Sequence, residues 1–301
     1  IVELKARFDE GNNIAWARHL EEAGAHVVYG ISGLKIHGKA LLIVRREEGL
    51  IRRYVHLSTG NYNDKTARLY TDMSIFSYDQ ELCGEISALF NIMTGYAMPE
   101  IQWRQIAAAP FDLRRRFLNL IDREARFSTP QNPGRIVAKM NSLVDSEIIR
   151  HLYAAADAGV RIDLIVRGTC CLRPGVGNDN IRVISIVDRF LEHSRIFYFG
   201  NNGRPEYYMA SADWMSRNLD RRIEILFPVK RAANRKVLDR VLELELADQC
   251  KGRRLHADGR YRLGRDGSPD SRSQYRLYRM FAAALLPENI AQLKIFTPAR
   301  Q

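Results

Sequence analysis

Two stretches of this 301-residue chain carry matching residue types in the same order, and an internal repeat restricts a fold more than any local propensity does. With His37 set against His193, residues 24–37 align with residues 180–193 without a gap. Val27-Val28-Tyr29 then falls on Val183-Ile184-Ser185, and both copies run into His-x-basic: His37-Gly38-Lys39 and His193-Ser194-Arg195. Next come Thr59-Gly60-Asn61-Tyr62 and Ser211-Ala212-Asp213-Trp214, each a hydroxyl, a small residue, an amide or acid, and an aromatic. Asp72 lies eleven residues beyond Asn61, and Glu224 eleven beyond Asp213. Four matches in one order point to two similar halves.

Around the repeat, helical and strand-like patterns alternate. A helical run from Ile14 stops at Gly24, strand-like runs follow at 25–29, 39–44 and 51–57, and a charged turn occupies 45–49. The pattern breaks at 99–110; an Arg-rich helix is expected at 111–127, and an exposed turn at 128–134 as the connection between halves. The second half predicts a helix at 145–158 ended by Gly159, and strands at 160–166, 181–186, 196–199 and 207–210. Helices are expected at 232–247 and 273–286, with a basic linker, 251–262, between them. Such alternation makes an α/β fold with a largely buried sheet.

On a strand, His37 and Lys39 would emerge on one face, as would His193 and Arg195. A histidine that attacks phosphorus needs a neutral ring nitrogen and cations for the phosphate oxygens. It also needs a carboxylate or carbonyl on the other nitrogen to hold the tautomer. Lys39 and Arg195 supply charge, Asp72 and Glu224 are candidate orienting groups, and Asn61 can donate to a phosphoryl oxygen. An acid at Asp213, where the first copy has Asn61, would repel a phosphate dianion. The two halves are therefore not expected to be equivalent. His19, His26, His56, His151 and His256 have no repeated partner and read as structural or solvated.

Lys and Arg together number 46 against 35 acidic residues, a net charge of +11. That surplus suits polyanionic partners: nucleic acid, anionic lipid or a phosphate polymer. No apolar run approaches the roughly 20 residues of a membrane span, and the charged opening Ile1-Val-Glu-Leu-Lys-Ala-Arg holds no signal-peptide core. A start without Met that reads like the middle of a strand suggests a fragment. Cys83, Cys170, Cys171 and Cys250 lack CxxC spacing, so neither a zinc site nor a disulfide framework is indicated, and the thiols read as reduced. The residues alone leave three functions open: phosphoryl transfer, hydrolysis of a lipid or nucleic-acid phosphodiester, and non-catalytic polyanion binding.

Paired His-x-Lys halves resemble the phospholipase D superfamily, in which two such halves close on one site. Longer phrases resemble the polyphosphate kinase family: Glu3-Leu-Lys-Ala-Arg-Phe-Asp-Glu10, Gly33-Leu-Lys-Ile-His-Gly-Lys39 and Ser58-Thr-Gly-Asn-Tyr-Asn-Asp-Lys-Thr-Ala-Arg-Leu-Tyr-Thr-Asp72. Lys139-Met-Asn-Ser-Leu-Val-Asp145, Val187-Asp-Arg-Phe-Leu-Glu-His-Ser-Arg195 and Ser211-Ala-Asp-Trp-Met-Ser-Arg-Asn218 extend the likeness along nearly the whole chain. The resemblance implies two phospholipase D-like α/β domains, 1–104 and 105–301, related by an internal pseudo-two-fold axis and preceded in the family by further domains. It implies reversible transfer of the ATP terminal phosphate to inorganic polyphosphate, with Mg2+ and through a phosphohistidine. Matched by motif, His37 is the phosphorylated residue and His193 the second catalytic histidine. Tyr70, Arg167 and His193 match nucleotide contacts, and Arg7 matches an arginine at the magnesium-phosphate group. Arginine has no lone pair for a metal, so Arg7 is expected to clamp phosphate beside the ion. The resemblance also implies a cytoplasmic, homo-oligomeric enzyme that needs no nucleic acid and touches membranes at most peripherally. Arg195 and Asp213 depart from the superfamily, which has lysine and asparagine at those places; with the resemblance, that implies a division of labour, His37 as nucleophile and His193 as general acid–base or stabiliser of the moving phosphoryl group.

Overall fold

The computed structural model describes residues 1–3, 10–31, 33–95, 102–264 and 267–285. It begins with helix α1 (Glu10–Glu22), then strands β1 (Lys35–Ile36), β2 (Lys39–Glu47) and β3 (Leu50–Ser58). A short helix α2 (Asp64–Ala67), strands β4 (Tyr70–Thr71) and β5 (Ser74–Ser77) and helix α3 (Gln80–Met93) follow. After these come β6 (Ala107–Ala109), α4 (Leu113–Phe127), β7 (Arg135–Met140), α5 (Ser146–Asp157), β8 (Arg161–Val166) and β9 (Ile181–Ile186). Two-residue β10 (Leu191–Glu192) leads to β11 (Ile196–Phe199), β12 (Glu206–Ala210), α6 (Ser216–Asp220), β13 (Arg222–Pro228) and α7 (Ala232–Leu246). A hairpin of β14 (Gly252–Leu255) and β15 (Tyr261–Leu263), then helix α8 (Ser273–Ala284), complete the described elements.

A ten-stranded mixed sheet organises the molecule, in the order β1-β13-β12-β11-β7-β8-β9-β14-β15, with β6 also against β13. Strands β7, β8 and β9 are parallel and carry near-continuous apolar runs, as strands covered on both faces do. Ile136, Ala138 and Met140 face α4 and α5, where Phe117, Ile121 and Leu152 pack around them. Val137 belongs to the opposite core, with Ile86 of α3 and Leu242 of α7. The sheet is thus filled from both sides, an α/β fold as expected. Helix α5 starts on Asp145, whose carboxylate accepts the Ile148 N–H at 3.1 Å, and Gly159 follows it at φ +87°, a left-handed conformation suited to glycine.

Four expectations need correction. Residues 25–29 form no strand: among the described residues the main-chain bonds that reach them are Ala25 N–H to the Leu20 carbonyl, which closes the end of α1, and Val2 N–H to the Val28 carbonyl, both at 2.9 Å, and a strand requires a paired neighbour. The turn at 128–134 does not join two halves, because it connects α4 to β7 within one layered unit. The basic stretch 251–262 is mostly the β14–β15 hairpin, which pairs with β9 and closes that side of the sheet. Arginines there are what an exposed edge strand tolerates. Finally, neither His-x-basic segment lies within a strand. The chain changes partners at both, from β13 to β3 around His37 and from β4 to β7 and β12 around His193.

Candidate active site

Those two changes of partner build the site. β1 runs parallel to the start of β13, with Lys35 opposite Arg222 and Ile36 opposite Ile223. β10 runs parallel to β4 in the same way, with Leu191 opposite Tyr70 and Glu192 opposite Thr71. One residue further, each register sets a histidine against a carboxylate. The N–H groups of His37 and Gly38 both donate to the Ile223 carbonyl, at 2.9 and 2.8 Å, and those of His193 and Ser194 to the Thr71 carbonyl, at 3.3 and 2.8 Å. His37 Nδ1 then lies 2.9 Å from Glu224, and His193 Nδ1 2.8 Å from Asp72. Asp72 and Glu224 are the orienting groups, and they are crossed: each stretch of chain supplies the carboxylate for the other's histidine.

The carboxylates are themselves held. Thr59 Oγ1 donates to Asp72 at 2.7 Å and accepts the Met73 N–H at 3.1 Å. Ser211 Oγ donates to Glu224 and accepts the Ile225 N–H at 3.0 Å. Sequence reading noted both hydroxyls without assigning them a role, although their matched places in the repeat were the signal. Gly60 leaves the room this needs, because a Cβ there would stand 2.3 Å from the Asp72 carboxyl carbon.

Both rings are neutral at neutral pH. Burial lowers the His37 pKa, with Lys39 and Arg195 adding to the effect and Glu224 opposing it. Burial likewise lowers that of His193, against its hydrogen bond to Asp72. With Nδ1–H donating to the carboxylate, Nε2 keeps its lone pair. Lys39, 7% exposed, donates to the His37 carbonyl, and burial pushes its ammonium down to about 7.

Arg195 does more than carry charge. Its Nη1 donates to the carbonyls of Thr59 (3.3 Å) and His193 (2.8 Å), and lies 3.1 Å from His193 Nε2. Its Nε meets Asp213 at 3.1 Å. The expected repulsion of phosphate by Asp213 therefore does not arise: Arg195, together with the N–H and side-chain amide of Asn141, neutralises that acid within the protein.

A cavity of about 730 Å³ opens over His37, with Lys39, Asn61, Arg217 and Arg222 on its walls. Asn61 is exposed to it, as a phosphoryl donor must be. Arg217 and Arg222 went unassigned in the sequence, since arginines abound there and only the fold places these two beside His37. Tyr70 packs on the His193 ring, centroids 4.9 Å apart. Arg167 is half-buried at the end of β8, its Nε held 2.6 Å from Asn141 Oδ1. Arg7 lies outside the described residues. Among those described, no three His, Cys, Asp or Glu side chains converge as a metal cage, and Asp72 and Glu224 already face histidines.

Comparison with known proteins decides the family. The profile for polyphosphate kinase C-terminal domain 1 matches residues 1–99, and that for C-terminal domain 2 residues 106–274. The chain belongs to the polyphosphate kinase family. It is 58% identical over 264 residues to the polyphosphate kinase of Thermosynechococcus vestitus, covering 87% of this chain and 36% of that protein. With the Synechocystis enzyme of the same name it shares 53% over 292 residues, 96% of this chain and 40% of that protein. The crystal structure of polyphosphate kinase from Porphyromonas gingivalis superposes with a TM-score of 0.85 at 36% identity, over 94% of this chain and 44% of that one. The chain thus spans less than half the length of these relatives. None of its described helices is long and apolar enough to cross a membrane.

Proposed function

We propose that this region carries the catalytic centre of an ATP–polyphosphate phosphotransferase, with His37 as the nucleophile. One observation supports this most: two neutral histidines share one basic site, each tied through Nδ1 to a carboxylate from the other's part of the chain. In this reading His37 Nε2 attacks the terminal phosphorus of ATP. The bond from that phosphorus to its bridging oxygen breaks, and ADP departs with the electron pair. The phosphoryl group then passes from Nε2 to the terminal oxygen of polyphosphate, which frees His37. Lys39, Arg217 and Arg222 balance the charge in the cavity, and Asn61 donates to a phosphoryl oxygen.

His193, fixed by Asp72 and backed by Arg195, serves as acid–base or stabiliser, while Tyr70 and Arg167 hold the nucleotide. Mg2+ belongs to the reading as a counter-ion carried in with ATP, since oxygen ligands on phosphate suit it better than this cationic wall. Arg7 keeps its expected place as a clamp on that phosphate. The reciprocal β1–β13 and β4–β10 pairings are what a pseudo-two-fold axis relating domains 1–104 and 105–301 would generate. A cytoplasmic, homo-oligomeric enzyme completes the proposal.

The test is covalent labelling with γ-labelled ATP and magnesium, followed by peptide mapping under alkaline conditions that preserve phosphohistidine. Label is expected on His37, and none in His37→Ala. Label persisting in that variant would refute the assignment. An unlabelled wild-type protein that cleaves phosphodiesters would favour hydrolysis.

A further inference from the structure

Asn141 is 5% exposed and sits just beyond the end of β7, beside the place where β8 delivers Arg167. The parallel register pairs Met140 with Val166, so Asn141 and Arg167 leave the sheet together at its C-terminal edge. The backbones meet closely there: the Gly168 N–H donates to the Asn141 carbonyl at 2.8 Å, and a Cβ on Gly168 would come equally close to that oxygen, 2.8 Å. On the other side of β7, the antiparallel β11 sets Ile196 against Lys139. That pairing brings the segment 193–195 alongside Asn141.

Its side-chain amide is fully committed. Oδ1 accepts Arg167 Nε at 2.6 Å. Nδ2 donates to the His193 carbonyl at 3.1 Å and to Asp213 at 3.0 Å. The orientation of the amide follows from its partners, because a flip would set nitrogen against nitrogen and oxygen against two oxygens. A group with one acceptor and two donors in a plane is needed here, and few side chains offer it. Arg167 is thereby gripped at Nε alone. Its two terminal nitrogens make no hydrogen bond to the described residues, so the fork remains free for an anion.

We propose that Asn141 is a positioning residue that couples the nucleotide arm to the second histidine, aiming Arg167 with its oxygen while holding the His193 main chain with its nitrogen. The inference rests on the reading of Arg167 as a nucleotide contact. Through one rigid amide, the guanidinium that binds the substrate phosphates and the ring proposed to act on them keep a fixed separation. A misplacement at either end would register at the other.

The experiment is a double-mutant cycle on steady-state kinetics with ATP and polyphosphate, in the protein at its native length. Asn141→Ala is expected to raise the KM for ATP about tenfold in the wild-type background, the loss typical of one charge-assisted hydrogen bond. In the Arg167→Ala background it should raise KM by less than about twofold, while kcat still falls because His193 is released. Asn141→Asp gives a second reading with little change in shape. Its carboxylate still accepts from Arg167 but offers no N–H to the His193 carbonyl and sets a like charge against Asp213, so kcat falls with KM within about threefold of wild type. Additive KM effects in the cycle, or an Asn141→Asp variant with normal kcat, would overturn the coupling. An unchanged KM in Arg167→Ala would instead overturn the nucleotide reading of Arg167 and this inference with it.

Discussion

At neutral pH Lys39 is poised between its two charge states, because burial holds its ammonium at about 7 beside a cavity suited to phosphate. A bound polyanion stabilises the charged form, so binding above pH 7 must draw in a proton. Calorimetry of polyphosphate binding in buffers of differing ionisation enthalpy should show uptake of about 0.9 proton at pH 8 and almost none at pH 6. Lys39→Met should abolish the pH 8 uptake; an unchanged value would assign the proton elsewhere. Stability carries the matching sign. The unfolded chain keeps this proton up to about pH 10.4, so between pH 7 and 10 it binds more protons than the native state, and this residue makes stability rise with pH. None of this was legible in the sequence, where Lys39 is one cation after a histidine. Its burial comes from the change of strand partner, which no spacing rule reports.

Beneath His193, three elements meet around a buried lysine. Lys139 of β7 contacts Glu192 of β10 and Glu245 of α7. Glu192 also accepts from Thr71 at 2.9 Å and from Gln274 of α8 at 2.7 Å. Two carboxylates around one ammonium leave one proton to be held, and burial raises Glu245 to about 8. In the unfolded chain a glutamate titrates near 4.3. Between those values the native state binds the extra proton, so this group makes stability fall as pH rises from about 4.5 to 8. Urea unfolding at pH 5, 6.5 and 8 should show Glu245→Gln losing less stability over that range than wild type, by up to about 1.4 kcal/mol per pH unit. Equal slopes would place the proton on another group.

Sequence pattern reached only part of this scale. Helix α5 was legible from its cap and glycine, whereas β7 and β13, which carry Lys139 and Glu224, escaped notice. Both are buried on two faces and show no alternation for a pattern to catch. Helix α3 was missed despite buried Leu82, Ile86, Leu89 and Met93 at helical spacing, since Gly84 interrupts it. The carboxylate pairings were half legible: the repeat pointed to Asp72 and Glu224, and only the parallel bridges showed that they cross.

For the molecule as a whole, the question is whether its net charge of +11 or its cleft governs binding of a polyanion. The two are separable because the sheet has two distant edges. Arg222 begins β13 on the β1 side, and Arg217 stands on α6 just before it, both on the cavity over His37. Arg254 lies on β14, near the opposite edge, beside a smaller basic hollow. Each phosphate neutralised at a site releases condensed counterions, and for single-stranded nucleic acid the logarithmic salt slope is about −0.7 per contact. A polyphosphate seated in the cleft should therefore lose about 0.7 units of slope with Arg217→Ala and again with Arg222→Ala. Arg254→Ala removes the same formal charge and should leave the slope almost unchanged, since across the sheet its field is screened over a Debye length of about 8 Å. Titrating a defined polyphosphate at several salt concentrations against all three variants makes the comparison. A slope that falls equally in all three would mean that net charge attracts the polymer and that the His37 cavity confers no preference of its own.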